Sequence, residues 1–319
     1  MFSVIIPNYN GVEHLKTCFE SLSNQTINDF KIILVDNGSE DNSVAFTKSY
    51  FKDSHVIELG YNSGFAKAVN EGVKYSLKHF QSNYILLLNN DIELSVDFLE
   101  IGLKTFKTIH NAASVAVKML NYFNREVIDD CGDFIKSNGG SPLARGHGEK
   151  DTGQYDKEEF IFGACAGAAF YRKEVFESIG FFDENFFAYY EDIDFSFRAQ
   201  FAGFKCFYQP KAVCYHKRGG TSSIATHGFQ TEMCERNLVL LRFKNYPLSI
   251  YFLYQPLFFI ARIKRYYSFL KLYPFPIFLK AVKGYSKGIF LLLFQLKKRF
   301  EIQKSKNVEN SYIKNLFSK

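Results

Sequence analysis

The run YILLLNND, residues 84–91, decides how the rest of the chain is read. A short, unbroken apolar run that stops at polar residues fits a strand buried on both faces, as in a parallel sheet. It is the most apolar run of its kind in the chain, and it ends on an acid, Asp91. Upstream, FAKAVNEGVKYSLKHF (65–80) sets Phe65, Val69, Val73 and Leu77 on one stripe, which predicts a helix. HVIEL (55–59), KIILVD (31–36) and FSVII (2–6) read as further strands, with a helix over 42–51 between the first two. After FSVII, Asn10 and Glu13 are spaced as a capping box, ahead of Leu15, Cys18, Phe19 and Leu22 at helical spacing. Downstream, a helix near 95–109 and a strand at 112–117 continue the pattern. Such alternation predicts an α/β, doubly wound sheet.

In such sheets ligands bind beyond the carboxyl ends of the strands, near the switch in strand order. The four predicted strands are followed by PNYNG, DNGSEDNS, GYNSGFAKAVNEG and NNDIEL. All four tips are polar, small or glycine-rich, and they share one edge. Neither the dinucleotide pattern GxGxxG nor a Walker A loop follows the first strand, so an NAD or ATP site loses its usual support. Asp91 suits a hard divalent cation, whose shell is completed by water and phosphate oxygens. It equally suits a turn that caps the next helix. Asp36 can accept from a nucleobase imide or a ribose hydroxyl, or close an Asx turn. His216, after AVCY, is a candidate metal ligand or an ordinary histidine.

Residues 119–160 read as a glycine-rich polar loop. Then comes NFFAYYEDIDFSFRAQ (185–200), three acids set among aromatics. A helix starting near Glu191 pairs Asp194 with Arg198 at i, i+4, worth roughly 0.2–0.5 kcal/mol when exposed. Glu191 and Asp192 lie in its first turn, where the helix dipole favours an ionised carboxylate. An ionised aspartate at a pocket edge suits a general base. The aromatics Phe187, Tyr189 and Tyr190 offer apolar walls for a sugar ring.

The chain has 319 residues, 47% hydrophobic and 23% charged, an ordinary globular composition. Its net charge of +6 is unevenly spread. Residues 246–300 hold ten Lys and Arg and no acid, and residues 301–319 add four bases and two acids. The stretch from 246 onward therefore carries 10 + 4 − 2 = +12, and residues 1–245 carry 6 − 12 = −6. Sixteen aromatics accompany the ten bases. That composition predicts amphipathic helices resting on the anionic inner membrane surface. The competing reading is a helical subdomain that packs on the body or forms a homodimer. Pro247 and Pro256 make the longest uncharged stretch, 245–261, a poor spanning helix. The six cysteines form no CxxC pair, which fits a reducing compartment, and Cys206, Cys214 and His216 lack zinc-site spacing. The amino terminus MFSVIIPNYNG starts as a strand, without a signal peptide's basic and apolar regions. A cytoplasmic chain, at most peripheral on the inner membrane, is expected, with no nucleic-acid partner.

Taken in order, SVIIPNYNG, LVDNGSEDNS, GYNSGFAKAVNEG, LLLNNDIEL, GACAGAAFYRKEVFESIGFFDENFFAYYEDIDFSFRAQFAG and AVCYHKRGGTS resemble glycosyltransferase family 2, over about residues 2–222. The acid segment is most similar to bacterial rhamnosyltransferase-type members of cell-surface polysaccharide synthesis. The resemblance implies the GT-A nucleotide-diphospho-sugar transferase fold over 1–245, with a nucleotide-sugar part (1–118) and an acceptor part (119–245), followed by a helical extension (246–319). It implies that Pro7, Asn8, Tyr9 and Asp36 line the base and ribose, and that Asn62, Gly64 and Asn70 border the nucleotide, with Asn90 beside them. Asp91 would be the last acid of a DxD motif that binds Mg²⁺ or Mn²⁺, with His216 as a further metal or diphosphate ligand. Asp192 would be the catalytic base, with Tyr190 and Glu191 orienting the acceptor. One position departs: Asn89 stands where the motif has its first acid, so metal binding rests more on His216 and the nucleotide. The expected donor is a pyrimidine nucleoside diphosphate sugar, dTDP-rhamnose first and a UDP-hexose second. The expected acceptor is a saccharide or a lipid-linked one, and inversion is the expected stereochemistry. A sugar nucleotidyltransferase and a non-catalytic nucleotide-sugar-binding protein are the alternatives. The first lacks the Gly-rich, Lys- or Arg-bearing loop after the first strand that it needs. The second leaves Asp91, Asp192 and His216 without a purpose.

Overall fold

Apolar runs flanked by helices pair as parallel strands, since only there are both strand faces covered. A computed structural model describes residues 2–137, 142–217 and 224–318. Strands β1 (Phe2–Asn8), β2 (Phe30–Asp36), β3 (His55–Glu58) and β4 (Tyr84–Leu88) alternate with helices α1 (Val12–Ser23), α2 (Ser43–Tyr50) and α3 (Phe65–His79). Then follow β5 (Ile92–Leu94), α4 (Phe98–Thr108), β6 (Ala112–Asn121), β7 (Ile128–Asp130), β8 (Asp133–Lys136), β9 (Pro142–Ala144), β10 (Glu159–Ile161), β11 (Ala168–Arg172), α5 (Lys173–Ile179), α6 (Glu191–Phe201) and β12 (Lys205–His216). Five helices and strands close the chain: α7 (Ile224–Asn245), α8 (Leu248–Leu253), α9 (Gln255–Leu272), α10 (Phe275–Lys304), α11 (Asn310–Asn315) and the short β13 (Phe317–Ser318) complete that set.

The main sheet runs β10-β12-β6-β11-β4-β1-β2-β3. β3, β2, β1 and β4 are parallel, and β11 enters antiparallel between β4 and β6. The strand order reverses between β1 and β4, so their tips form the switch point. Side chains alternate across β1 as strand geometry requires. Val4 and Ile6 pack with Leu15 and Phe19 of α1, while Ile5 packs with Val69 and Val73 of α3. Gly72 lets α3 lie close on the sheet, since a Cβ there would stand 2.4 Å from the Ile5 side chain.

Several expectations need correction. The segment 119–160 is not simply loop: β6 extends to Asn121 and β7 to β10 occupy much of the rest. Three-residue strands show no periodicity to read. The capping box is absent, because α1 starts after Gly11 without a side-chain cap. Instead Asp41, from the β2 tip, accepts from the Val12 amide at 3.0 Å, and Asn10 accepts from the Glu40 amide at 2.8 Å. The boundary expected at 245/246 crosses a shared core, in which Phe186, Ile193 and Phe197 pack with Tyr246, Ile250, Ile302 and Phe317. β13 pairs with β8. α10 lies along α7, with no room for a Cβ at Gly284, which would stand 2.2 Å from the Glu232 carbonyl oxygen.

Candidate active site

At the switch point, polar side chains tie three strand tips together. Asn90 donates to Asn8 Oδ1 at 2.7 Å, and Asn8 donates to Asp36 Oδ1 at 3.3 Å and to Ser39 Oγ at 3.2 Å. Asp36 also accepts from the Ser39 amide at 3.0 Å. Asn8 and Asp36 are buried, Pro7 is half-buried and Tyr9 is exposed, so the last of these presents its ring outward. The β3 tip joins through a residue not singled out in the sequence, Asn37. Its Oδ1 accepts from Ser63 N and Oγ, and its Nδ2 donates to Asn62 Oδ1 and to the Gly64 carbonyl.

Gly64 then brings this loop onto the acid segment. Its φ of +88° is a region L-residues avoid, and a Cβ would meet the Phe187 ring at 2.6 Å. The Ala66 amide donates to the Phe187 carbonyl at 3.1 Å. Phe187, Tyr189 and Tyr190 themselves have φ of +63°, +71° and +70°. Non-glycine residues in this region cost of order 1–3 kcal/mol each and persist only when neighbours over-determine them. Here α7 does so: Asn237 Nδ2 donates to the carbonyls of Phe186, Ala188 and Tyr189 at 2.9, 2.8 and 2.7 Å. The strained turn sets the start of α6 and hence the position of Asp192.

Asp192 Oδ1 accepts from the Ile193 amide at 2.8 Å and Oδ2 from the Ala166 amide at 3.3 Å. The next residue, Gly167, accepts at its carbonyl from the Asn89 amide at 2.7 Å. One short stretch of chain thus touches Asp192 on one side and the strand end carrying Asp91 on the other.

Asp91 lies in the turn between β4 and β5, three residues past the end of the strand predicted to reach it. Its carbonyl accepts from the Lys217 amide at 2.9 Å, which fixes it beside the end of β12. There His216 Nε2 lies 3.3 Å from Asp91 Oδ2, and Nδ1 lies 2.7 Å from Asp129 Oδ2. Burial favours the neutral imidazole, yet the hydrogen bonds and charges of Asp129 and Asp91 outweigh it, and the His216 pKa is pushed up to about 9. Burial likewise acts to raise Asp91, but the His216 contact holds it below the ordinary value. Asp129 was not among the expected residues; it is the partner that orients a metal-ligating histidine from behind.

A divalent cation fits this corner as a partial shell. Asp91 Oδ1 is buried with no hydrogen-bond partner, a vacant carboxylate oxygen beside an imidazole nitrogen. Among the described residues no group of three or more His, Cys, Asp or Glu forms a complete metal cage. A hard cation held by one carboxylate and one histidine takes its other ligands from phosphates and water.

Comparison with known proteins agrees with this geometry. The family model of glycosyl transferase family 2 matches residues 3–180. The chain belongs to glycosyltransferase family 2. It is 29% identical over 206 residues to the low-salt glycan biosynthesis hexosyltransferase Agl10 of Haloferax volcanii, covering 62% of this chain and 61% of that protein. It is 24% identical over 237 residues to the PGL/p-HBAD biosynthesis glycosyltransferase of Mycobacterium bovis, covering 70% and 79%. The chain thus spans less than two thirds of the first relative's length. In fold it resembles S. aureus TarS 1-349 (TM-score 0.59, 16% identity, covering 99% of this chain and 89% of that one). It also resembles the Pyrobaculum calidifontis mannosyltransferase PcManGT, solved with GDP-Man and Mn²⁺ (TM-score 0.55, 12% identity, 98% and 87%). The fold is therefore GT-A, with a helical carboxyl-terminal region.

Three expected residues of this family 2 chain sit differently from the sequence reading. Asn70 is buried, and its amide exchanges hydrogen bonds with the Phe182 backbone and donates to Glu184, so it braces the acid segment rather than facing the strand tips. Glu191 is buried; desolvation first, then the charge of Asp192, push its pKa well above the ordinary value. The helix dipole does not keep it ionised, because one turn of partial charge is smaller than the cost of burying a carboxylate. Asp194 does pair with Arg198 at 3.0 Å, but the pair is buried and shared with Lys244 at 2.8 Å and Asn245 at 2.8 Å. Of the last motif, the residues after Lys217 lie outside the described residues up to 223.

Proposed function

We propose that the protein transfers a sugar from a nucleoside diphosphate donor to an acceptor hydroxyl, with inversion, and that Asp192 is the base. The observation that carries this reading is the joint placement of Asp192 and Asp91 on either side of residues 166–167. The acceptor oxygen forms a bond to the anomeric carbon as the bond from that carbon to the diphosphate oxygen breaks. The acceptor proton passes to Asp192, and the electron pair of the broken bond leaves with the nucleoside diphosphate. Asp192 is half-exposed and receives two backbone N–H groups, which orient its carboxylate without enclosing it. A single base suits inversion, where attack comes from the face opposite the leaving group.

Asp91 and His216 would hold a divalent cation, Mg²⁺ or Mn²⁺. Its chemistry there is to neutralise charge on the departing diphosphate. Asn8, Asp36, Asn90 and the Asn37–Asn62–Gly64 loop would frame the nucleotide, with Pro7 and Tyr9 at its rim. Tyr190 and the protonated Glu191 would shape the acceptor side. The donor order proposed is dTDP-rhamnose, then a UDP-hexose, and the product would enter surface-polysaccharide synthesis. Among the described residues no helix is long and apolar enough to cross a membrane. A place on the cytoplasmic face of the inner membrane, held by the basic helices, completes the reading.

The test is release of nucleoside diphosphate from a panel of dTDP-, UDP- and GDP-sugars with Mg²⁺ or Mn²⁺ and a glycan-lipid extract as acceptor. Release with at least one donor that disappears in Asp91→Ala supports the reading. Metal-independent release that survives Asp91→Ala removes the cation site. Binding of purine nucleotides alone removes the pyrimidine donor.

A further inference from the structure

Outside the strand tips, the most unusual charge in the molecule is Arg242 on α7. Its side chain is 7% exposed and its Nε is buried without a hydrogen-bond partner. The guanidinium lies 4.0 Å from the centre of the Phe258 ring. Burial lowers its pKa, and the groups acting on its charge are Tyr246, Tyr190 and Arg265, with no carboxylate among them. A buried cation without an anion is costly, by several kcal/mol in a dry setting.

Arg242 borders a groove of about 410 Å³ between α7 and α9. Lys136, Arg262 and Arg265 also line it, and Leu257 and Ala261 supply apolar walls. Arg262 and Arg265 share one buried acid, Glu235, so this cluster keeps an excess of positive charge. The groove opens beside α9, where Phe259, Ile263, Tyr267 and Leu270 are all more than half exposed at helical spacing. No acid occurs anywhere in 246–300. At its inner side the groove approaches the proposed base: Phe258 packs in the same cluster as Tyr190, which precedes α6 and lies two residues before Asp192.

We propose that this groove binds the phosphate of a lipid-linked acceptor, with the phosphate on Arg242, Arg262 and Arg265 and the hydrocarbon chain along Leu257 and Ala261 toward the apolar face of α9. An anionic head beside a hydrocarbon chain matches both halves of the surface, and a phosphate oxygen supplies the acceptor that Arg242 Nε lacks. A neutral saccharide would leave the arginine unpaired. The inference rests on the transferase reading above, since it makes the groove the acceptor's anchor next to Asp192.

The probe is dodecyl phosphate below its micelle concentration, compared by calorimetry with dodecyl maltoside and with inorganic phosphate. Saturable binding at least tenfold tighter than either control is expected. Arg242→Met, which keeps bulk and loses charge, and Ala261→Trp, an exposed position that fills the groove, should each weaken it at least tenfold. Calorimetry with UDP and Mn²⁺ should be unchanged in both variants. Equal binding of the neutral amphiphile overturns the proposal. So does unchanged dodecyl phosphate binding in Ala261→Trp, whether or not Arg242→Met folds. Binding of phosphatidylglycerol vesicles that is identical in wild type and Ala261→Trp, without saturable dodecyl phosphate binding, assigns the charge to bulk membrane contact and also overturns it. Failure of wild type to bind any nucleotide would count against the transferase reading and leave the groove result to stand by itself.

Discussion

One proton on His216 should make stability and cation binding respond to pH in opposite directions. In the metal-free protein the imidazole is flanked by Asp91 and Asp129 and titrates near 9 rather than 6.5. That difference corresponds to about 3 kcal/mol favouring the folded state while the ring is charged. Because the folded value lies above the unfolded one, this contribution is complete below about pH 6.5 and is lost as pH rises through about 9. A cation bound at Nε2 requires that same proton to leave. Apparent cation affinity should therefore rise about tenfold per pH unit up to about 9 and then level off, roughly a hundredfold between pH 7 and 9. Two measurements check this: urea unfolding in EDTA at several pH values from 6 to 9.5, and Mn²⁺ titration with UDP over the same range. Other groups also titrate in this window, so the informative quantity is the difference from His216→Asn, which should lose both slopes. Asp129→Asn removes the closer carboxylate, so both curves should turn at a lower pH. It should also weaken cation binding about 10–100-fold above pH 9, where protonation no longer matters and only the orientation of the ring does. Wild type and His216→Asn running in parallel across pH 6.5–9 in both assays would refute the reasoning.

The three remaining predictions concern single side chains. Asp192→Asn keeps the shape of the α6 start but accepts no proton; it should bind donor with Mn²⁺ as wild type does and lose transfer by roughly 10²–10⁴-fold, as read by nucleoside diphosphate release. Asp194→Asn should leave Lys244 and Arg198 short of a buried anion and cost about 3–5 kcal/mol in urea unfolding, with a smaller effect on turnover of the folded fraction; an unchanged unfolding midpoint would sink that assignment. Gly284→Ala places a methyl against the Glu232 carbonyl and should cost about 1–3 kcal/mol, with earlier proteolysis within α9 and α10 as its signature.

The parts of this architecture written in local pattern were legible, and the parts written in single distant contacts were not. Helix stripes and apolar strand runs placed β1 to β4 and α1 to α3, and the strand order then put their polar tips at one edge. Asp91 and His216 were recognisable as residue types at the ends of strands. Asp129 was not, because it sits in a three-residue strand inside a stretch with no periodicity, and its value depends on His216, 87 positions away. Asn237 was hidden for the same reason: a mid-helix asparagine looks unremarkable until its amide is seen gathering three carbonyls of a turn about 50 residues earlier. The turn itself gave no local signal. Left-handed residues are normally advertised by Gly, Asn or Asp, whereas this one uses Phe187, Tyr189 and Tyr190.

That turn also accounts for the mixture of acids and aromatics in NFFAYYEDIDFSFRAQ. Three carboxylates this close could not share one environment, because like charges in a dry setting oppose each other's ionisation. The fold separates them by what each faces. Asp194 points inward to Lys244, Arg198 and Asn245, where charge is matched by charge. Glu191 is buried with its Oε2 unpartnered, and burial together with Asp192 keeps it protonated. Asp192 alone is half-exposed and oriented by backbone amides from two segments. The aromatics make this sorting work: they dry the surroundings of Glu191 and Asp194 enough for the difference in partners to matter. A polar segment in their place would hydrate all three acids alike, and nothing would single out Asp192 as the one free to take a proton from an acceptor.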